Sequence, residues 1–282
     1  AMAVIIIHRD FGDRTNRKHA RLKYVIAERG VDWFRSEVEQ RAGIKLEPAR
    51  PFHFTKQGDL LGWHQQTNGN FFLGLFVENG RIKDADGYQL KAGLREVIEK
   101  FQPEVRLTAS QNLLLVDVRP EQREPITGIL KAHGVSVDNP FSKTRLASMS
   151  CPALPTCGLS LAESERVMPE ILTSIETLQA EVGLQDQEII IRMTGCPNGC
   201  ARPYMAEIGF VGKGPEKYQL YLGGNESGTR LNRLYKDVVE AENIVAELRP
   251  LLARFAHDRL SGERFGDWCE RVLFKENPVS QN

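Results

Sequence analysis

The chain has 282 residues, enough for one large or two medium domains, and its hydrophobic (41%) and charged (26%) fractions are those of an ordinary globular protein. Lys plus Arg equals Asp plus Glu at 37 each, so no net charge attracts nucleic acid or an anionic membrane. Because no apolar run is long enough to cross a bilayer and no signal or transit peptide begins the chain, we predict a soluble protein with neither nucleic-acid nor membrane partners.

The first 46 residues predict a short strand followed by two helical segments. Residues 4–7 form an apolar, strand-like run almost at the start of the chain, which suggests a piece of a longer protein. Residues 14–21 are basic and lead into apolar positions at helical spacing, with a break near Gly30. A solvated helix face explains this basic run as well as an anion-binding role does.

A second pattern follows the prolines at 48 and 51 and predicts a module that spans residues 47–135. The order of its elements is β-α-β-β-α, which over about 80 residues is typical of a ferredoxin-like α+β module. The predicted strands and helices occupy residues 70–77, 90–101, 105–108, 112–118 and 120–133.

A third region, residues 145–276, predicts an α/β domain whose cysteines lie at loop edges. A short strand runs directly into a loop rich in Gly, Pro and Cys, and two later strands form a hairpin with a rather long loop. The predicted elements are a helix over 159–182, strands over 188–193, 206–211 and 218–222, and a helix over 237–257.

Two cysteine pairs carry the chemistry, Cys151-Pro-Ala-Leu-Pro-Thr-Cys157 and Cys196-Pro-Asn-Gly-Cys200. Four thiolates suit a [4Fe-4S] cluster, because each of its irons takes one cysteine sulfur. A structural zinc site and unligated thiols are the alternatives, although the first pair is spaced widely for zinc. The fifth cysteine, Cys269, has no cysteine nearby and is predicted to be a packed apolar residue.

Residues 194–207, Thr-Gly-Cys-Pro-Asn-Gly-Cys-Ala-Arg-Pro-Tyr-Met-Ala-Glu, resemble the second cluster motif of assimilatory sulfite reductases, members of the siroheme/[4Fe-4S] nitrite and sulfite reductase family. The resemblance covers nearly the whole chain and is to the C-terminal of the family's two pseudo-equivalent halves. Siroheme nitrite reductases are similar, but generally have Asn-Ser-Cys-Gly where residues 198–201 read Asn-Gly-Cys-Ala. Sulfite is therefore favoured as the substrate.

The resemblance implies a six-electron reduction of sulfite to sulfide at a siroheme that Cys200 bridges to the cluster. It implies the cluster ligands Cys151, Cys157, Cys196 and Cys200. It also places six polar side chains along the siroheme: Arg17, Arg21, Arg106, Gln111, Asn112 and Asn198. Read without the resemblance, Arg106 is a surface arginine and residues 111–112 are a plain turn.

The resemblance implies partners as well. The N-terminal half of the same polypeptide would pair with the ferredoxin-like module and carry most sulfite-contacting residues, so we expect this chain alone to be inactive. Residues 62–66 and 71–75 look more like the ferredoxin-dependent branch than the branch served by an NADPH-dependent flavoprotein. The expected location is the cytoplasm, or the plastid in a photosynthetic eukaryote.

Overall fold

A computed structural model describes residues 1–52, 58–138 and 140–275. The chain divides into two compact units, Ala1–His53 and Phe54–Asn282. None of the helices in the described part of the chain combines the length and hydrophobicity that a bilayer crossing requires.

The first unit is helical throughout its regular elements, which are α1 (Met2–Phe11), α2 (Leu22–Arg29) and α3 (Val31–Ala42). The strand predicted over residues 4–7 is wrong, since these residues lie within α1. Ala3 and Ile7, four residues apart, are buried on one side of this helix while Ile5 is exposed, which is helical spacing. The predicted break at Gly30 is confirmed, because this glycine adopts φ +86° between α2 and α3.

The second unit begins with the predicted ferredoxin-like module. Its four main strands form an antiparallel sheet in the order β1-β2-β6-β5, and residues of α4 and α5 join the sheet in one hydrophobic core. The elements are β1 (Gly62–Gln65), β2 (Phe71–Leu75), β3 (Asp84–Ala85), β4 (Tyr88–Gln89), α4 (Leu90–Phe101), β5 (Glu104–Leu107), β6 (Leu113–Val118) and α5 (Arg123–Ala132).

The predicted elements correspond in order to β2, α4, β5, β6 and α5, but three strands are missing from the prediction, namely β1 and the short pair β3 and β4. The edge strand β1 was not predicted because it is short, partly exposed and lacks an apolar run. It pairs antiparallel with β2, with Trp63 opposite Leu73.

The rest of the second unit is built on a mixed five-stranded sheet in the order β11-β10-β9-β8-β7. β7, β8 and β9 run parallel, whereas β10 is antiparallel to both of its neighbours. The elements are α6 (Lys143–Ala147), β7 (Met149–Ser150), α7 (Met168–Glu181), β8 (Ile191–Thr194), β9 (Ile208–Gly214), β10 (Lys217–Leu222), β11 (Arg233–Glu240), α8 (Ile244–Asp258) and α9 (Phe265–Trp268).

Three predictions for this region are wrong in their bounds. The helix predicted from residue 159 begins only at Met168, with Pro169 in its first turn, because residues 159–167 fold around the first cysteine pair. The predicted hairpin is formed by β9 and β10, and its loop is short because β9 continues through Gly212 to Gly214. The helix predicted from residue 237 begins at Ile244, since residues 233–240 form the largely exposed edge strand β11.

Arg145 joins the ferredoxin-like module to the rest of the second unit. Its guanidinium donates to Glu78 at 2.5 Å and to Glu176 at 2.6 Å, and the residue is only 9% exposed. Burial favours the neutral form of Glu176, but hydrogen bonds from Arg145 and Ser142 outweigh it and hold the pKa of this carboxyl below its usual value.

The lowered pKa of Glu176 predicts a pH-dependent contribution to stability. A carboxyl whose folded pKa lies below its unfolded value of about 4.3 stabilises the protein above that pH, and the contribution is lost as pH falls through the folded pKa. We therefore expect Glu176→Gln to lower the free energy of unfolding at pH 7 and to differ less from wild type as pH falls below about 4. Urea titrations at several pH values measure this, with the exposed Glu181→Gln as control. If the difference in the free energy of unfolding between Glu176→Gln and wild type is the same at every pH, the expectation is wrong.

Candidate metal centre

The two cysteine pairs follow neighbouring parallel strands. Cys151 comes directly after β7, and Cys196 comes two residues after β8. Because β7 and β8 are parallel, their carboxyl ends lie at the same edge of the sheet. The Cys151 N–H donates to the Met193 carbonyl at 3.2 Å, which continues the pairing into the cysteine loop.

Gly195 joins the two cysteine loops. Its carbonyl accepts from the N–H groups of Leu161 and Ala162 at 2.8 and 3.0 Å, and its own N–H donates to Cys151 Sγ at 3.3 Å. A methyl group on Gly195 would lie 1.9 Å from Ser160 Oγ, so the close approach of the loops requires glycine here. Gly195 therefore brings the backbones of the two cysteine loops together.

The second pair is held in a tight turn. Gly199 adopts φ +69°, and its carbonyl accepts from the Arg202 N–H at 2.8 Å. The Thr194 hydroxyl donates to the Cys196 carbonyl at 3.2 Å, and the Tyr204 hydroxyl to the Pro197 carbonyl at 3.3 Å. These contacts fix the backbone on both sides of the turn.

The four thiols differ in exposure and environment. Cys151 and Cys196 are buried at 8% and 7% exposure, Cys157 is half-buried, and Cys200 is exposed. Burial raises the pKa of the Cys151 thiol, and hydrogen bonding from Gly195 opposes this, while the nearby Cys200 raises it further. A metal centre that binds Cys151 must therefore displace a tightly held proton.

The arrangement fits a cluster better than a single ion. Across residues 1–52, 58–138 and 140–275, no three His, Cys, Asp or Glu side chains are grouped closely enough to hold one metal ion. Structural zinc needs four ligands around one point at about 2.0–2.3 Å, whereas a cubane spreads its thiolates over four irons. Four thiols, two from each loop, are the soft donors that a cubane takes, one at each iron.

Four of the predicted siroheme-contacting residues are exposed. Arg17 and Arg21 belong to the first unit, where Arg17 opens a 3₁₀ turn and Arg21 precedes α2. In the second unit, Asn198 lies in the turn between Cys196 and Cys200, and Arg106 lies on β5 and pairs with Glu104 at 2.7 Å.

Gln111 and Asn112 use their side-chain amides within the protein. The Gln111 amide donates to the Ser150 carbonyl at 2.8 Å and accepts from the Ser150 N–H at 3.3 Å, next to Cys151. Buried Asn112 accepts from the Val77 N–H at 2.9 Å and donates to Asp59 at 2.8 Å. The Asn112 side chain therefore links parts of the ferredoxin-like module to one another, and the Gln111 side chain links the module to β7.

One ion pair near the cysteines was not predicted. The Glu165 N–H donates to the Cys151 carbonyl at 3.1 Å, and the Glu165 carboxylate receives two hydrogen bonds from Arg81, one of them at 2.6 Å. The turn that carries Arg81 thus supports the first cysteine loop. The partners are far apart in sequence, and no local pattern links them.

Gly212 supports the same loop from β9, which leads to a prediction with a matched control. A methyl group at Gly212 would lie 2.3 Å from the Gly195 carbonyl oxygen, whereas one at Gly214 on the same strand would meet nothing within 4 Å. We expect Gly212→Ala to lower the free energy of unfolding by about 1–3 kcal/mol and to reduce cluster incorporation, with Gly214→Ala close to wild type. Urea unfolding and visible absorbance after anaerobic reconstitution measure the two effects. Equal losses in both variants would contradict the proposed contact.

Two family models match the chain. The nitrite/sulfite reductase ferredoxin-like half domain matches residues 64–133, and the nitrite and sulphite reductase 4Fe-4S domain matches residues 1–46. The cysteines lie outside both ranges. The α+β fold class is confirmed by these matches and by a solved neighbour, the Mycobacterium tuberculosis NirA protein, which has a TM-score of 0.80 and 25% identity over 96% of this chain and 51% of that one.

Sequence matches to curated relatives also cover the cysteine region. The sulfite reductase [NADPH] hemoprotein beta-component of Myxococcus xanthus is 47% identical over 100% of this chain and 50% of its own length. That of Lysinibacillus sphaericus is 47% identical over 96% of this chain and 48% of its own length. The chain spans about half the length of the curated relatives it matches. These matches establish that the chain belongs to the nitrite and sulfite reductase family.

Proposed function

We propose that this chain is the cluster-carrying half of a sulfite reductase, which reduces sulfite to sulfide with six electrons. The observation that carries the proposal is that the two cysteine-bearing loops pack together at the carboxyl ends of β7 and β8, with Cys200 exposed and Cys151 and Cys196 buried. Because Cys200 is the exposed thiol of the four, it would be the one to contact a second group as well as the cluster.

Each cysteine has a role in this proposal. Cys151, Cys157, Cys196 and Cys200 would hold the [4Fe-4S] cluster, and Cys200 would also bind the siroheme iron. When bound, the two groups supply electron storage and the bond-breaking chemistry at iron. The chain's own contribution is to exclude water from Cys151 and Cys196 and to direct the Gly195 N–H at the Cys151 sulfur, which stabilises the thiolate.

The polar side chains would neutralise the carboxylates of the siroheme. We propose Arg17, Arg21, Arg106 and Asn198 as direct neighbours, because their exposed side chains are free to reach a ligand or, for Arg106, to exchange a surface ion pair for one. Gln111 and Asn112 would act beside them by fixing the backbone that faces the macrocycle. The proposed division is 1–46 for the end of a siroheme domain, 47–135 for the module and 145–276 for the cluster domain.

The partners proposed are sulfite, the remaining part of the polypeptide and an electron donor. Relatives from M. xanthus and L. sphaericus carry NADPH in their names, which supports an NADPH-linked flavoprotein as the donor. Ferredoxin, expected from residues 62–66, is the alternative. Turnover of the assembled enzyme with each donor separates the two, and turnover of sulfite against nitrite tests the substrate.

Anaerobic reconstitution tests the cluster directly. With iron and sulfide, we expect the full chain to bind about four irons and four sulfides, with broad visible absorption and a paramagnetic signal after reduction. Cluster formation does not require activity, so the test works on this chain alone. One equivalent of zinc, without iron or labile sulfide, would contradict the proposal.

A further inference from the structure

A turn of the ferredoxin-like module at residues 78–81, the connecting turn, contacts the segment that folds around the first cysteine pair. The Asn79 amide donates to the Glu165 carbonyl at 3.3 Å. Arg81 donates two hydrogen bonds to the Glu165 carboxylate, one from Nε and one, at 2.6 Å, from Nη2. Asn79 adopts φ +53°, a conformation that a non-glycine residue rarely keeps without support from its surroundings.

Glu165 passes this contact on to Cys151. Its N–H donates to the Cys151 carbonyl at 3.1 Å. On the other side of Cys151, the Ser150 backbone both donates to and accepts from the side-chain amide of Gln111, which also belongs to the module. The ferredoxin-like module therefore holds the backbone on both sides of the buried Cys151 thiol.

The ion pair between Arg81 and Glu165 lies beside the first cysteine loop. The two residues border a cavity of about 470 Å³ that Pro152 and Thr156 of this loop also line. The Glu165 side chain is only 7% exposed, whereas that of Arg81 is 38% exposed. A buried carboxylate is costly without a cation, and the two donors of the Arg81 guanidinium match it.

The charge of Glu165 matters because the neighbouring cysteines would hold a redox centre. The reduction potential of an iron–sulfur cluster depends on the nearby net charge, on hydrogen bonds to its sulfurs and on its exposure to solvent. A bare carboxylate beside the loop would disfavour the addition of an electron, whereas a paired carboxylate adds no net charge.

We propose that Arg81 is a positioning residue for the cluster: through Glu165 it keeps the first cysteine loop closed over Cys151 and cancels the carboxylate charge beside it. The ferredoxin-like module then sets how readily the cluster accepts an electron, although it supplies none of the ligands. The effect on the cluster rests on the proposed function. The effect on the loop follows from the hydrogen bonds alone.

Alkylation of the cluster-free 282-residue chain tests the effect on the loop. With iodoacetamide and peptide mass spectrometry, we expect Arg81→Gln to raise the labelling rate of Cys151 by at least about fivefold, because the loop opens more often. Cys269, which is fully buried in the core, reports global unfolding and should label at the wild-type rate. Arg81→Lys keeps the charge without the paired donors and should lie between wild type and Arg81→Gln. Arg119→Gln, which removes an exposed ion pair with Glu121 in the same module, is the matched control.

Redox titration of the anaerobically reconstituted chain tests the effect on the charge. Arg81→Gln leaves Glu165 negative and should lower the reduction potential, whereas Glu165→Gln leaves Arg81 positive and should raise it. At a fixed potential, each change should alter the ratio of reduced to oxidised cluster by about threefold or more, in opposite directions. The double variant should lie near wild type. A loop that is merely loosened would admit water in both single variants and shift both potentials the same way.

The outcomes separate the two effects. Equal labelling of Cys151 in wild type and Arg81→Gln would overturn the positioning role. If Arg81→Gln speeds the labelling of Cys269 as much as that of Cys151, the chain unfolds globally, and wild-type labelling of Cys151 in Arg81→Lys would then overturn the role. Potentials that shift in the same direction in both single variants would overturn the charge effect. Absence of a cluster even in the wild type, with Arg81-dependent labelling intact, would instead reject the proposed function and leave the effect on the loop standing.

Discussion

Replacing Cys200 or Cys196 with serine should abolish assembly of the [4Fe-4S] cluster in the reconstituted chain. A hydroxyl is a hard and weakly acidic ligand, so it does not replace the soft thiolate that an iron in such a cluster prefers. Outer-shell changes at metal sites typically cost about 10–100-fold in affinity or activity, and loss of a direct ligand should cost more. Visible absorbance, iron and sulfide content, and sulfite turnover of the assembled enzyme measure the effect.

Cys269 provides the matched control for these substitutions. It is fully buried in the hydrophobic core beside Trp268, and burial raises the pKa of its thiol well above the usual value. We expect Cys269→Ala to lower the free energy of unfolding by about 1 kcal/mol while leaving the cluster intact. If Cys269→Ala loses the cluster and Cys200→Ser retains it, the proposed ligand set is wrong.

Local patterns were enough to predict the central elements of the fold. The helix α4 was predicted over its observed range, and β6 nearly so, because each has an apolar face against the core of the module. The edge strands β1 and β11 were missed, since an edge strand is exposed on more sides and has little apolar periodicity. Residues 4–7 show the same limit, because four apolar residues fit a helix as well as a strand.

The candidate site was likewise predicted only in the parts that local sequence patterns determine. The cysteine pairs could be predicted because ligand spacing is a local property of each loop. The support of the Cys151 loop by Glu165 and Arg81 could not be predicted, because it depends on residues that only the folded chain brings together. The siroheme contact of Gln111 stays a prediction, and the hydrogen bonds between its amide and Ser150 could not be predicted for the same reason.

Glu207 forms a buried ion pair at the amino ends of β8 and β9. It is completely inaccessible to solvent, and its carboxylate accepts from Arg264 at 2.8 Å and from the N–H groups of Ile190 and Gly266 at 2.9 and 3.0 Å. Burial raises the pKa of this carboxyl, and Arg264 and the two N–H groups oppose the rise. Ile190 immediately precedes β8, so the pair ties that strand to α9.

Arg264→Met should therefore lower the free energy of unfolding by about 3–5 kcal/mol at pH 7, because it leaves Glu207 charged in the interior without its cation. Adding Glu207→Gln should recover part of the loss, since the amide oxygen still accepts from both N–H groups and carries no charge. The exposed pair of Arg249 and Glu181 gives the control, and Arg249→Met should cost less than about 1 kcal/mol. Urea unfolding measures all three variants.

The pH dependence of Arg264→Met distinguishes an uncompensated charge from lost packing. Without its cation, Glu207 has a folded pKa further above its unfolded value of about 4.3, so protonation favours the folded state. The loss in the free energy of unfolding caused by Arg264→Met should then be smallest below about pH 4.3. It should grow as pH rises through the pKa of Glu207 in the folded state. A deficit of the same size at every pH, with no recovery in the double variant, would mean that Arg264 stabilises the domain by its packing alone.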